Sequence, residues 1–234
     1  MSIRHLFVSA AAIAVSASLL IAPVAAQQAA PADPSKVDNV SKDARKPAGL
    51  LPVKQLELAA ALAQYGRAQK DPLSLIVAAR MRQQVGFKTE DRKPDNADAT
   101  AIDKDDGKLS VEGLLKEAAD LSGNDKTIMA MADDVKASAA KGRVGGGVIS
   151  RGTITGNTTH NLTMSFSGGR FAEVAAAGTD NDDIVLEIYD QSGHLICRDS
   201  DPAYCSFNPI WTGPFLVKVR NNGSGGGHYR LETN

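Results

Sequence analysis

The chain has 234 residues, of which 43% are hydrophobic and 23% charged, and its formal net charge at pH 7 is −1. A chain so close to neutrality has no electrostatic basis for binding nucleic acid or an anionic membrane surface. Eight of the eleven aromatic residues lie between Phe166 and Tyr229, and aromatic side chains dominate core energetics. We therefore expect the best-packed core in the C-terminal part of the chain.

The N-terminus carries the pattern of an export signal. Arg4 and His5 precede an uncharged apolar run, Leu6 to Ala22, and Val24-Ala25-Ala26 offers small residues at a cleavage site. We predict that residues 1–26 are a signal peptide and that the protein is periplasmic or secreted. A membrane-spanning helix is the alternative, but the run is shorter than the roughly 20 apolar residues that a span needs. We therefore expect no membrane span after cleavage.

The next stretch, residues 27–49, contains three prolines and scattered Lys and Asp. Val37 and Val40 are its only sizeable apolar residues. Such a composition buries too little surface to offset the entropy lost on ordering. We predict a disordered tether here.

Apolar residues at helical spacing then predict a helical region over residues 50–141. The first helix runs from Pro52 to about Lys70, and Asp71-Pro72 matches an N-cap followed by proline at the first position of a second helix. Gly86 is the expected stop of that helix. The apolar stripes of these two helices are predicted as follows: Val53, Leu56, Ala60 and Ala63; Leu58, Leu62 and Tyr65; and Leu73, Ile76, Val77 and Met81.

Two further helices are predicted, one beginning at Ser110 and one at about Asp125. The fourth helix presents Ile128, Met131, Val135 and Ala139 on one face. Residues 87–109, between the two hairpins, are mostly charged or small, and we predict a mobile loop or a site there. Because the hairpins share a small, Ala-rich interface, we expect marginal stability unless they dock on another unit.

After a Gly-rich joint at residues 141–147 the apolar period changes to two. The alternating sets are Leu162, Met164 and Phe166; Ile184, Leu186 and Ile188; Phe215, Val217 and Val219; and Tyr229 and Leu231. Turn residues separate them, so seven or eight short strands should form an antiparallel β-sandwich. The predicted fold class is therefore α+β, multi-domain, with N-terminal helical hairpins followed by the sandwich.

Residues 147–234 resemble the bacterial pre-peptidase C-terminal domain. The matching stretches are Phe166-Ser-Gly-Gly169, the strand Asp183 to Asp190 with its turn Gln191-Ser-Gly193, Trp211-Thr-Gly-Pro-Phe215 with Val217-Lys-Val-Arg-Asn221, and Tyr229 to Asn234. The resemblance implies a jelly-roll-like sandwich appended to exported proteins, some of which bind calcium or extracellular polymers. The family pattern usually has a second acid where this chain has Val185.

Two acidic loops flank the strand pair that begins at Asp183. The candidate Ca²⁺ ligands in them are Asp180, Asp182, Asp183, Asp199 and Asp201. Because Ca²⁺ takes six to eight oxygen ligands, converging Asp-rich loops predict a calcium site. The alternative is that these residues are solvated turn formers.

Cys197 and Cys205 are the two cysteines of the chain. In an oxidising compartment, an even pair across a short connection predicts a disulfide. A nucleophilic Cys–His pair is the alternative.

No HExxH or GxSxG motif occurs in the sequence. His160, His194 and His228 are predicted to lie on the surface or rim of the sandwich. The sequence therefore favours an exported, non-catalytic protein that binds another protein or an envelope polymer. Two alternatives remain: a secretion or stability appendage with a degenerate pro-region, and a secreted hydrolase with its site around residues 87–109.

Overall fold

The computed structural model describes the following residues: 37–45, 47–96, 109–138, 147–178, 183–200 and 202–234. The helices are α1 (Pro52–Gln69), α2 (Pro72–Val85), α3 (Val111–Leu121) and α4 (Lys126–Ser138). The strands are β1 (Phe87–Thr89), β2 (Gly147–Ile154), β3 (Thr159–Phe166), β4 (Ala172–Gly178), β5 (Ile184–Tyr189), β6 (Leu195–Ser200), β7 (Ala203–Phe207), β8 (Gly213–Asn221) and β9 (Gly227–Thr233). The predicted signal peptide lies outside the described residues.

The predicted helix boundaries are confirmed, and local hydrogen bonds explain them. Asp71 Oδ1 accepts a hydrogen bond of 3.0 Å from the N–H of Leu73 at the start of α2. Ser110 Oγ does the same for the N–H of Gly113 in α3, at 2.9 Å. Each cap satisfies an N–H that has no partner inside the helix. Gly86 ends α2 with φ of +59°, a conformation that favours glycine.

The four helices pack around one Ala-rich core. Its buried members are Ala59, Ala63, Leu75, Ile76, Ala78, Ala79, Leu114, Leu115, Ala118, Ala132 and Val135. Arg67 of α1 forms a two-pronged ion pair with Glu117 of α3, the closest N–O distance being 2.7 Å. A bidentate arrangement fixes the relative position of both helices.

Several predicted apolar stripes are wrong in detail. Leu58 and Tyr65 of α1 and Leu73 and Val77 of α2 are exposed, and Met131 of α4 is 39% exposed. Small residues face the core instead, among them Ala59 and Ala79. Helices that pack through alanine approach closely, so larger side chains are turned outward. Ala139, predicted on the inner face of α4, lies outside the described residues.

The strands form two layers. One sheet has the order β1-β2-β9-β4-β7 and the other β3-β8-β5-β6. In the described residues every strand pair is antiparallel except β1–β2, which is parallel. Between the layers lies an apolar core that includes Phe166, Phe207 and Phe215, whose ring centroids are 5.0–5.8 Å apart. The α+β fold with a β-sandwich is confirmed, and residues 147–234 supply eight of its strands.

The remaining strand, β1, lies outside residues 147–234, in the stretch 87–109 that was predicted to be a mobile loop or a site. Strand β1 pairs with β2, with Lys88 opposite Val148. Further along, Asp95 Oδ2 accepts hydrogen bonds from the N–H and hydroxyl of Thr163, at 2.8 and 2.7 Å. The described half of this stretch is therefore bound to the sandwich. Residues 97–108 lie outside the described part.

Part of the predicted tether also packs on the sandwich, where the structure differs from the sequence interpretation. Asn39 is fully buried, and its side chain accepts hydrogen bonds from the N–H groups of Ile210 and Trp211 while donating to the carbonyl of Trp211. Its own N–H donates to Asp190 Oδ2 at 3.1 Å. Asn39 thus forms four hydrogen bonds with the sandwich. The prediction of a tether rested on the low apolar content of the segment, which gives no information about such polar contacts.

The helices dock on the outer face of the five-stranded sheet. Leu56, Val85 and Ile149 form a small buried cluster between α1, α2 and β2, and Phe87 packs against it. The first turn of α1 lies over β4. Among the residues that the structure describes, no helix has the length and apolarity to cross a membrane.

Candidate functional site

Three of the predicted calcium ligands lie outside the described residues: Asp180, Asp182 and Asp201. The strands β5 and β6 do form the predicted hairpin, with Val185 opposite Ser200. Asp183 and Asp199 consequently lie at the same end of it. Asp199 Oδ2 accepts a hydrogen bond of 3.0 Å from the N–H of Tyr204. Calcium binding stays a prediction.

The predicted disulfide between Cys197 and Cys205 is present, with a Cα–Cα distance of 6.0 Å. Cys197 belongs to β6 in the four-stranded sheet, and Cys205 to β7 in the five-stranded sheet. The bond therefore joins the two layers at their shared edge, and both thiols are unavailable for nucleophilic chemistry.

His160 is not on the surface, so its prediction as a rim histidine is wrong. Only 5% of the residue is exposed, and its Nδ1 lies 3.2 Å from the hydroxyl of Tyr229. Burial lowers the pKa of His160 and raises the pKa of Tyr229 to about 12. Both groups are therefore neutral at physiological pH, a pattern typical of a structural polar pair inside a core.

His194 takes part in a cluster that the sequence analysis did not predict. Its Nδ1 lies 2.9 Å from Asp38 Oδ1 and 3.4 Å from Asp190 Oδ2. In the described part of the chain, these three residues are the one set of three or more His, Cys, Asp or Glu side chains with ligand atoms within 4.8 Å of one another. The buried carboxylate of Asp190 also accepts from the N–H groups of Ser192 and His194. The cluster lies where the segment around Asp38 meets the β5–β6 turn.

The junction between helices and sandwich contains a buried carboxylate, Glu173 of β4. Its Oε2 accepts from the N–H of Val53 at 3.0 Å and its Oε1 from the N–H of Lys54 at 3.1 Å, both in the first turn of α1. The hydroxyl of Tyr204 donates to Oε1 at 2.8 Å. Desolvation by burial and the bond to Glu173 raise the pKa of Tyr204, which keeps it a donor.

Beside Glu173 lies a cavity of about 120 Å³, here called the interface pocket. The wall from α1 consists of Glu57, Ala60, Ala61 and Gln64. The opposite wall consists of Ala175 and Ala177 of β4, Arg230 and Glu232 of β9, and Pro202. In the sheet Ala175 lies opposite Glu232, and Ala177 opposite Arg230. The pocket is therefore lined by two adjacent cross-strand pairs covered by one helix.

The acidic groups of the interface pocket are not fully satisfied by the protein. Glu57 Oε2 accepts from Lys54 Nζ at 2.7 Å, but Glu57 Oε1 is buried with no hydrogen-bond partner. Glu232 is 1% exposed, and neither of its carboxylate oxygens accepts a hydrogen bond. Arg230 Nε lies 2.9 Å from Glu232 Oε1 without hydrogen-bond geometry, so this contact is an ion pair only.

The lining of the pocket carries two acids, Glu57 and Glu232, and one base, Arg230. The pKa of Glu57 is raised, chiefly because burial desolvates its carboxylate. The hydrogen bond and charge of Lys54 lower this pKa, and the charges of Glu232 and Glu173 raise it. A positively charged hydrogen-bond donor inside the pocket would lower the pKa of Glu57 and donate to these buried carboxylate oxygens.

The sequence analysis missed this pocket because its acids are far apart in the chain. Glu57 lies on a helix and Glu232 near the C-terminus, and no pattern in the sequence connects the two positions. The one available signal is the run Ala172 to Gly178, in which Glu173 interrupts an Ala-rich strand. A charged residue in so apolar a strand indicates a buried partner.

No protein-family model matches the chain, and no curated protein matches it. Several solved structures are similar to part of it. The periplasmic inhibitor of g-type lysozyme from Aeromonas hydrophila is 16% identical with a TM-score of 0.33, covering 38% of this chain and 84% of that chain. The mitogen from Yersinia pseudotuberculosis is 18% identical with a TM-score of 0.33, covering 39% of this chain and 86% of that chain.

The pre-peptidase C-terminal domain of a collagenase from Bacillus anthracis is 14% identical with a TM-score of 0.32, covering 37% of this chain and 87% of that chain. At this level of similarity we transfer neither a family nor a function from these proteins.

Proposed function

We propose that this protein is an exported, non-catalytic binding protein of the periplasm or the medium, and that it engages a partner protein through the interface pocket. The observation that carries the proposal is the pocket itself, in which Glu57 Oε1 and both carboxylate oxygens of Glu232 are buried and accept no hydrogen bond. Pockets with apolar walls and a few convergent polar groups are the usual form of a binding site.

Two further features support this proposal. The disulfide Cys197–Cys205 is stable in an oxidising compartment, in agreement with the predicted signal peptide. The helices and sandwich also share a buried interface through Leu56 and Glu173, so both walls of the pocket are held in place. A preformed site of this kind loses little conformational entropy on binding. We keep the calcium site as a separate proposal.

The proposal is tested by affinity capture with the protein exported from its full-length gene. Ala61 is exposed at the mouth of the pocket, so Ala61→Trp should block entry without disturbing the core. Ala130, exposed on α4, gives the matched control Ala130→Trp. We expect the wild type and the control to retain the same partner and the blocked variant to lose it.

Equal capture by all three proteins would contradict the pocket as the binding site. A hydrolase activity abolished by one acidic or histidine substitution would contradict the non-catalytic role.

A further inference from the structure

We infer that the interface pocket binds the primary ammonium group of a lysine side chain presented by a partner protein. This inference rests on the proposed function and names the chemical group that the pocket takes. Three observations support it: buried acceptors without donors, the shape of the cavity, and the position of two carboxylates on opposite walls.

Three buried carboxylate oxygens at the pocket accept no hydrogen bond. Glu57 Oε1 and both oxygens of Glu232 are buried and accept no hydrogen bond, although Arg230 contributes its charge nearby. A buried carboxylate oxygen that lacks a donor is costly, because it has lost water and gained nothing. A hydrogen-bond donor that enters the pocket would satisfy these oxygens, and a positively charged donor would form the strongest hydrogen bonds with them.

The second observation is the shape of the pocket. Glu232 lies at its buried end, whereas Ala61, Gln64 and Pro202 are exposed. Ala60 and Ala175 provide apolar walls between the two ends. The volume of about 120 Å³ leaves room for one extended side chain but not for a large ligand. A four-carbon stem that ends in an ammonium group matches both this size and this change from apolar to acidic along the pocket.

The third observation distinguishes ammonium from other cations. The orphan oxygens belong to two carboxylates on opposite walls, Glu57 on α1 and Glu232 on β9. An ammonium has three donors that point in different directions, whereas a guanidinium is a planar fork suited to the two oxygens of one carboxylate. Arg230 already supplies a guanidinium beside Glu232.

The test is an NMR titration of the ¹⁵N-labelled full exported protein with capped tripeptides. The probe is acetyl-Gly-Lys-Gly-amide. The comparison peptides carry norleucine, which keeps the stem without the ammonium, or arginine in place of lysine. Glucosamine is the final arm, because its ammonium sits on a sugar ring without a stem. We expect saturable shifts at the amides of Ala61, Ala175 and Ala177 with the lysine peptide.

Substitutions in the protein test whether the peptide binds in the pocket. They also distinguish the contribution of the Glu57 charge from that of an open pocket. Glu57→Gln removes the charge on the helix wall and should weaken lysine binding about tenfold or more, as expected for a lost charge-assisted hydrogen bond. Ala61→Trp should abolish binding by blocking the mouth. Glu112→Gln removes an exposed acid of α3 and should leave the affinity unchanged. The folding of each variant is checked by comparing the amide signals of its sandwich residues with those of the wild type in the NMR spectrum.

The outcomes are distinct. No saturable shift with the lysine peptide, an equal response to norleucine or arginine, or a preference for glucosamine would each overturn lysine recognition. If lysine fails but Ala61→Trp still loses the captured partner, the proposed function stands and only the ligand assignment falls. Lysine binding with no captured partner would support ammonium recognition and contradict the proposed function.

Discussion

Glu173, in the middle of the chain's C-terminal sandwich, caps the first turn of the helix that begins at Pro52 by accepting the N–H of Val53 at 3.0 Å. The helix has no cap of its own, because its N-cap residue is Leu51. A carboxylate at a helix N-terminus is stabilised both by the free N–H groups and by the helix dipole. This bond and the buried cluster of Leu56, Val85 and Ile149 both join the helical region to the sandwich.

We predict that Glu173→Gln destabilises the protein by roughly 2–3 kcal/mol, because a buried charged acceptor of two backbone donors becomes a neutral amide. Chemical denaturation measures the change. Glu112, exposed in the first turn of α3, gives the control Glu112→Gln, for which we expect less than about 1 kcal/mol. Equal effects of the two substitutions would show that Glu173 does not hold the helices on the sheet.

A second prediction concerns the N-terminal segment around Asn39. Its side chain makes three hydrogen bonds with the backbone of Ile210 and Trp211, so Asn39→Ala should cost roughly 2–4 kcal/mol. Protease cleavage near residues 37–45 should also become faster. Neighbouring Asp38 offers a matched control, because its contact with His194 is half-exposed and Asp38→Ala should cost about 1 kcal/mol or less. If Asp38→Ala and Asn39→Ala behave alike, the buried amide does not anchor the segment.

The disulfide supplies a third prediction. Replacing Cys197 and Cys205 together by Ser should lower the free energy of unfolding by roughly 2–3 kcal/mol, because a short closed loop of the unfolded chain is released. Thermal or urea unfolding measures this loss. Alkylation of the unreduced exported protein should label neither cysteine, and rapid labelling of both would remove the disulfide from the account.

A fourth prediction is a pH dependence that originates at His160. Burial lowers the folded-state pKa of His160 below the unfolded value of about 6.5. Below that value the unfolded chain takes up a proton that the folded protein resists, so His160 should reduce stability as pH falls from about 6.5 towards its folded pKa. Unfolding free energies between pH 7.5 and 5.5 should fall less steeply for His160→Gln.

Tyr229→Phe is the control for this pH effect. It removes the contact with the hydroxyl but leaves the imidazole buried, so the slope of the wild type should be kept. A wild-type slope in His160→Gln would assign the pH dependence to other groups.

The calcium proposal supplies a fifth prediction. A bound ion stabilises only the folded state, so millimolar Ca²⁺ should raise the melting temperature, and Mg²⁺ should raise it less. Asp183→Asn combined with Asp199→Asn should remove the rise, whereas Asp91→Asn, in the strand-flanking stretch before Asp95, should not. An unchanged melting temperature of the wild type on adding Ca²⁺ would contradict the calcium site and would favour the interpretation of these acids as turn residues.

Local signals were enough to predict much of the fold. Asp71-Pro72, Ser110 and Gly86 mark helix ends because caps are satisfied within a few residues of sequence. Alternating apolar residues predicted the strands that have one face in the core, such as β5 and β8. The short separation of Cys197 and Cys205, in a chain predicted to be exported, predicted their pairing.

Strand β4 shows why such signals are insufficient. It carries Val174 and Ala176 towards the sandwich core, and Glu173 and Ala175 towards α1. Because both faces are buried, the strand has no polar alternation and was not identified from the sequence. The burial of Leu58 and Tyr65 was predicted wrongly for a similar reason. Which face of α1 is buried depends on the surface against which the helix docks.

By itself, then, the sequence determined the helix ends, the alternation of the one-sided strands and the disulfide, because each depends on residues close together in the chain. Only the tertiary structure decided that Asn39 is buried, that Glu173 caps a helix and that Glu57 and Glu232 share a pocket. These relationships join residues far apart in the chain, and they arise only when α1 docks on the five-stranded sheet. The desolvation that makes them energetically important is a property of that docking.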